Sequence, residues 1–288
     1  MTIIRTALAL LSVVPAAPAL AGAILFVNYN GSDNTIPAAL AADGHVVTAA
    51  NVPPSTANSY FQNVNLNQYC AVVWSTAYQY DQSLGGATSV LSNWISSGGH
   101  LLITTPDGIR ASGTYPNGQP DLVGLLGGAG ATDQGNNYST VANVQNSLTT
   151  GLVDIRGQQP PPIGDMDALC APLAAGTVGL VTAQNTSCSS GQGYAWSLRT
   201  VGAGEAAFIT SGNFTSGDDP DWSVTSIPGD GVYNAGLRNF ALSACTARTA
   251  PTPVPSLSEW GLGILSGLLA VLGLVAARRK SHRPQLPR

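Results

Sequence analysis

The last thirty-odd residues constrain this chain more than any other stretch. Trp260 to Ala277 is a run of 18 residues without a charge, built from Leu, Ile, Val, Ala and Gly with one Ser after the leading Trp. As a helix rising about 1.5 Å per residue it reaches roughly 27 Å, close to a bilayer core of about 30 Å. Its Gly residues would weaken a soluble helix but are common in membrane spans. Trp260 stands at one end, where an indole prefers the interface, and Arg278, Arg279 and Lys280 stand at the other. The positive-inside rule then places the C-terminus in the cytoplasm. The predicted architecture is a folded domain followed by one C-terminal transmembrane helix over 260–277.

The front of the chain predicts export. Residues 1–21 carry Arg5, then a short apolar core from Ala7 to Val14, then Ala19-Leu20-Ala21. This is the layout of a secretory signal peptide with a small-x-small site for signal peptidase, and its core is too short to serve as an anchor. The mature chain is expected to start at about residue 22.

Pro255-Ser256-Leu257-Ser258-Glu259-Trp260-Gly261, the apolar run and the basic cluster follow one another at the C-terminus. Together they resemble the IPTL-CTERM sorting domain, a relative of the PEP-CTERM signals of Gram-negative bacteria. Val254-Pro255-Ser256-Leu257 stands where that pattern reads Ile-Pro-Thr-Leu, a conservative departure. The resemblance implies recognition by an exosortase-type membrane protease and cleavage near the motif. The protein would be transiently anchored in the inner membrane and would end at the cell surface or outside the cell. It also implies a link to exopolysaccharide and biofilm matrix, and says nothing about the activity of the sorted domain. The expected domains are a signal peptide over 1–21, an ectodomain over 22–247, a Thr/Pro-rich linker over 248–255 and a sorting signal over 256–288.

Charge narrows the partners of the ectodomain. From Gly22 to Pro255 there is no Lys, and the basic residues are Arg110, Arg156, Arg199, Arg238 and Arg248. The acidic residues there number 14, the chain's 15 less Glu259, for a balance of 5 − 14 = −9. A nucleic acid or an anionic membrane needs a basic face, so both are excluded as partners. Cys70, Cys170, Cys188 and Cys245 all lie in the exported region. An even count in an oxidising compartment predicts two disulfides, with three pairings open. Cys170 and Cys188 flank one loop-rich segment and form the first expected pair. Cys70 with Cys245 is the second, clipping a late helix to the sheet.

Hydrophobic patterning predicts an α/β domain. Ala23–Asn28, Cys70–Ser75 and His100–Thr105 are continuous apolar runs of the kind that make buried parallel strands. Helical character over 35–42, 56–63 and 82–97 alternates with strands, including one over 45–48. A short helix over 122–126, strands over 176–182 and 193–198, a buried strand over 205–211 and a closing helix over 233–244 complete the reading. The expected fold is a single three-layer domain with a mostly parallel sheet. Leu91-x-x-Trp94-Ile-x-x-Gly98-Gly99-His-Leu-Leu-Ile103 and the late Gly202-x-Gly204 turn, strand and helix resemble the class I glutamine-amidotransferase-like fold. Other flavodoxin-like domains share this pattern.

The catalytic residues of that family are not where the resemblance would put them. The turn after the fourth strand reads Thr104-Thr105-Pro106-Asp107-Gly108, with no Cys. The ectodomain His residues are His45 and His100, both read as partly exposed strand starts. A Cys–His or Ser–His relay on this template is therefore not expected. In an open parallel sheet, ligands bind at the carboxyl ends of the strands. Asn28, Tyr29, Asn30, Ser75, Thr76, Thr105, Asp107, Ser211 and Asn213 are expected to cluster there. These mostly neutral hydrogen-bonders suit a sugar, and ordinary turn residues are the competing reading. Asp218, Asp219 and Asp221 form the densest acidic patch and are a candidate calcium set, although their spacing does not match an EF-hand loop. Asp165 and Asp167 are a weaker version of the same signal. No other cofactor is expected.

The functional expectation is an exported surface or matrix protein with a non-catalytic binding domain. A carbohydrate-active enzyme using carboxylates such as Asp107 and Asp219 is the alternative. An accessory protein of exopolysaccharide export is a third reading.

Overall fold

The computed structural model describes residues 22–28, 35–75, 82–105, 108–109, 114–134, 138–161, 166–184, 186–210 and 231–249. The chain divides after Thr249 into two units, and every described residue belongs to the first. The signal peptide, the span over 260–277 and the motif residues 255–261 lie outside the described residues. Among the described residues no helix is long and apolar enough to cross a membrane.

The elements follow in chain order. β1 (Ala23–Asn28), α1 (Thr35–Ala42), β2 (Val46–Asn51), α2 (Pro54–Asn63), β3 (Ala71–Ser75), α3 (Gly86–Ser96) and β4 (His100–Thr105) form the alternating half. Then come α4 (Pro120–Leu126), β5 (Gly130–Gln134), β6 (Met166–Cys170), β7 (Thr177–Ala183), β8 (Gly193–Val201), β9 (Gly204–Thr210) and α5 (Gly231–Thr249). The strands β2-β1-β3-β4-β9 are hydrogen-bonded neighbours and all parallel. β8 then runs antiparallel to β9, and β7, β6 and β5 add only antiparallel pairs. The expected mostly parallel sheet is therefore a mixed one, parallel over five strands. The cause is the tight turn at Gly202, which takes φ +62 and sends β8 straight back as β9. A two-residue return cannot join parallel strands.

The sheet is buried on both faces where its strands are continuously apolar. Ile24, Phe26, Ala71, Val73, Leu102, Ala207 and Ile209 pack with Ile36 and Leu40 of α1 and Tyr233, Leu237 and Phe240 of α5. The alternate residues Leu25, Val27, Val72, Trp74, Leu101, Ile103 and Phe208 pack with Phe61 of α2, Leu91 and Trp94 of α3, and Leu122 and Leu126 of α4. Side chains of successive strand residues point to opposite faces, so one apolar run feeds two cores. Burying each large side chain is worth about 1.5–3 kcal/mol.

Local signals set the helix ends. Gln119 caps α4 by accepting the Leu122 N–H through its side chain at 2.7 Å, and Gly127 ends that helix in the left-handed region at φ +78. Gly204 opens β9 against the end of α3, where a Cβ would lie 2.1 Å from the carbonyl oxygens of Ile95 and Gly99. Only Gly allows this approach.

Residues 138–158 carry no regular element but complete the layer beside α5, with Tyr138, Val141, Leu148 and Ile155 in the core. Asn239 of α5 holds them. Its amide donates to the carbonyls of Leu148 and Val153 and accepts the Val153 N–H.

Both disulfides form in the expected pairing. Cys70 joins Cys245, tying the end of α5 to the entry of β3, and Cys170 joins Cys188.

Candidate functional site

Strand register brings three of the polar strand ends into one row. Asn28 of β1 lies opposite Ser75 of β3, which lies opposite Thr104 of β4. All three belong to the face that carries α1 and α5, because they continue the alternation of Ile24–Phe26, Ala71–Val73 and Leu102. Asn28 is 5% exposed and Ser75 and Thr104 are fully buried. Among the described residues the Ser75 and Thr104 hydroxyls have no hydrogen-bond partner. Asn28 and Ser75 belong to the carboxyl-edge set expected from the sequence, and Thr104 does not.

α5 opens near this edge, since Cys245 near its far end is fastened at the start of β3. Its first turn holds no acidic residue. Asn234 is fully buried there, with its Oδ1 accepting from Arg238 and its Nδ2 without a partner. The Tyr233 hydroxyl donates to the Pro161 carbonyl at 2.9 Å, and its ring lies 5.3 Å from that of Trp196. Burial pushes the Tyr138 phenol well above its ordinary range, against the opposing effect of the Tyr233 and Thr210 hydroxyls. The edge is thus lined by uncharged hydrogen-bonding groups and aromatic rings.

β6 adds a carboxylate at the end of β9. β7 occupies one edge of β8 over its length, so β9 and β6 share the other edge, end to end. The Asp167 N–H donates to Thr210 Oγ1, and the Asp167 carboxylate accepts the Ile109 N–H at 2.7 Å. Asp167 is fully buried, so it fixes the backbone after β4 and does not face a solvent-side cation. Among the described residues no group of three or more His, Cys, Asp or Glu could hold a metal ion. Tyr29, Asn30, Thr76, Asp107, Ser211, Asn213, Asp218, Asp219 and Asp221 lie outside the described residues.

The histidines sit at the other end of the sheet. His45 and His100 are both buried, not partly exposed as their strand-start positions suggested. His100 and Thr104 are four residues apart on β4, roughly 13 Å along the strand. His100 Nδ1 lies 3.4 Å from Glu205 Oε2, its cross-strand neighbour on β9. The Ser147 hydroxyl also faces Glu205, so the acid, not the imidazole, stands in the middle. A relay that activates a hydroxyl needs the imidazole between hydroxyl and acid. The trio is therefore a structural one, and sequence reading missed it because Ser147 and Glu205 carry no motif.

Burial pushes the Glu205 carboxyl up, but the facing His100 and Ser147 side chains outweigh burial and leave it below its ordinary value. A carboxyl depressed in the fold adds stability above its unfolded value of 4.5 and loses it as pH falls below that value. Glu205→Gln is expected to cost more stability at pH 6 than at pH 3.5, by under about 1 kcal/mol, because solvent still reaches the carboxylate. Urea unfolding of both proteins at the two pH values checks this, and an unchanged gap contradicts it.

Residues 252–279 match the IPTL-CTERM motif. The match covers Thr252–Pro255 of the Thr/Pro linker, the Ser-Leu-Ser-Glu-Trp-Gly motif, the apolar run and Arg278-Arg279. Similar solved structures include a ThuA-like protein from Bacteroides uniformis, at 13% identity and TM-score 0.43 over 81% of this chain and 94% of that one. A ThuA-like protein from Parabacteroides merdae aligns at 13% identity and TM-score 0.44, over 79% of this chain and 90% of that one. Agd3, described as a carbohydrate deacetylase, aligns at 14% identity and TM-score 0.48, over 77% of this chain but 32% of its own length. No curated protein matches the chain.

Proposed function

We propose that this chain is an exosortase substrate whose α/β domain works at the cell surface or in the extracellular matrix as a binding module. The observation that carries the reading is the IPTL-CTERM match over 252–279, the mark of an exported and sorted surface protein. The two disulfides fit the same compartment, since they persist where the surroundings are oxidising.

The binding half of the reading rests on the carboxyl edge. Asn28, Ser75, Thr104 and Asn234 are neutral hydrogen-bonding groups, and Tyr233, Trp196 and Tyr138 are the rings beside them; all are buried, so they set the uncharged character of the edge without touching a sugar themselves. That chemistry suits a carbohydrate. All cysteines are in disulfides, and the two described histidines are held at or near the opposite edge. A nucleophile in this row would therefore lack an imidazole among the described residues. Calcium at Asp218, Asp219 and Asp221 belongs to the proposal as a candidate ligand. So does sugar contact by Tyr29, Asn30, Thr76, Asp107 and Asn213.

Replacing the motif tests the sorting half. Glu259→Ala with Trp260→Ala is expected to leave the protein in the membrane fraction at its unprocessed mass, while the wild type reaches the surface. Equal surface display of the two would overturn it.

A further inference from the structure

On the opposite side of the sheet from the row, α3, α4 and β8 enclose a groove of about 250 Å³. Its base is apolar, from Ile95, Leu125 and Val201. Its rim is polar, from Ser92, Asp121 and Arg199. We propose that this groove binds one uronate residue, a pyranose sugar carrying a carboxylate, such as occurs in acidic polysaccharides.

Arg199 carries the argument. Arg156 pairs with Asp154 and Arg238 pairs with Asp43, whereas Arg199 has no carboxylate partner among the described residues. Its Nη1 donates to the carbonyls of Gly124 and Leu125 at 2.5 and 3.1 Å, which fixes the guanidinium at the end of α4. Nη1 is taken up by the two carbonyls and Nε is buried, so Nη2 is the part of the guanidinium left for a ligand, and its charge favours a carboxylate oxygen.

Asp121 sets the second contact. One of its oxygens accepts the Ser83 hydroxyl and the Leu84 N–H, which locks the side chain on the rim. Asp121 precedes the Gly124 and Leu125 carbonyls by three and four residues on α4, an axial separation of about 5–6 Å. A uronate holds its carboxylate across the ring from hydroxyls that donate to Asp121, while one ring face lies on Leu125 and Val201. The volume is below the range of about 300–1,000 Å³ usual for drug-sized ligands, so the groove takes one residue of a polymer.

Gly124 provides a variant that spares the fold. It lines the groove, sits within α4, and a Cβ built on it meets nothing within 4 Å. Gly124→Met would fill the groove and raise helix propensity at the same time. The experiment is calorimetric titration of the full-length protein with glucuronate and with glucose. Glucuronate is expected to bind, glucose to bind at least tenfold more weakly, and Arg199→Gln to lose at least tenfold in glucuronate affinity. Gly124→Met is expected to abolish binding with no fall in Tm. Undetectable glucuronate binding, equal affinity for glucose, or wild-type binding by Gly124→Met would each overturn the proposal. None of these results depends on sorting or on the carboxyl-edge row.

Discussion

Replacing Cys70 and Cys245 with Ala is expected to destabilise the domain far more than replacing Cys170 and Cys188. The first bond closes 175 residues of chain and the second closes 18. The loop-entropy relation assigns about 5 kcal/mol to the longer closure and about 3 kcal/mol to the shorter. The positions of the two bonds act in the same direction. Cys245 lies at the end of α5, whose Leu237, Phe240, Ala241 and Ala244 fill the core beneath the parallel strands. Cys70 leads directly into β3, and its N–H donates to Ala23 of β1. Cutting this bond frees a helix that belongs to the core. Cutting the other frees a connection around β7, a strand at the sheet's edge. Guanidinium unfolding under non-reducing conditions should place the two double variants about 2 kcal/mol apart. Equal losses, or the opposite order, would contradict this account of the fold.

Asn239→Leu is the second change with a large expected cost. The Asn239 side chain is fully buried and makes three hydrogen bonds, all to the backbone of residues 148–153. Leu has a similar volume but cannot pair with the Val153 N–H, the Val153 carbonyl or the Leu148 carbonyl. Each unsatisfied group costs about 1–3 kcal/mol, so a total of about 3 kcal/mol or more is expected. The loss should also be local. Hydrogen exchange at Val153 and Ile155 should accelerate before that of β3 and β4. A variant within 1 kcal/mol of wild type, with protection at Val153 intact, would show that 138–158 is held by its apolar side chains alone.

These two cases show what was legible in the sequence and what was not. The parallel half was readable because Ala23–Asn28, Ala71–Ser75 and His100–Thr105 are unbroken apolar runs separated by helices. The antiparallel half was harder. β5 reads Gly-Ala-Thr-Asp-Gln, which has neither alternation nor large apolar residues, and β6 is a five-residue strand after a Pro-rich stretch. Their places depend on pairing with distant partners. Residues 138–158 gave no signal, because one buried Asn on a helix 80 residues later holds them. Asn28 and Ser75 could be expected at the carboxyl edge because both end continuous apolar strands, whereas the register that sets Thr104 beside Ser75 cannot be read from composition. The groove at Arg199 escaped notice, since a lone Arg in an acidic domain looks like any surface charge until its neighbours are known.

The most direct test of the central claim is the mass of the mature protein from cells with and without their exosortase. The account predicts a chain ending near Pro255 to Glu259, seen only when the protease is present. A mature chain that keeps Arg278, Arg279 and Lys280 in both strains would contradict it.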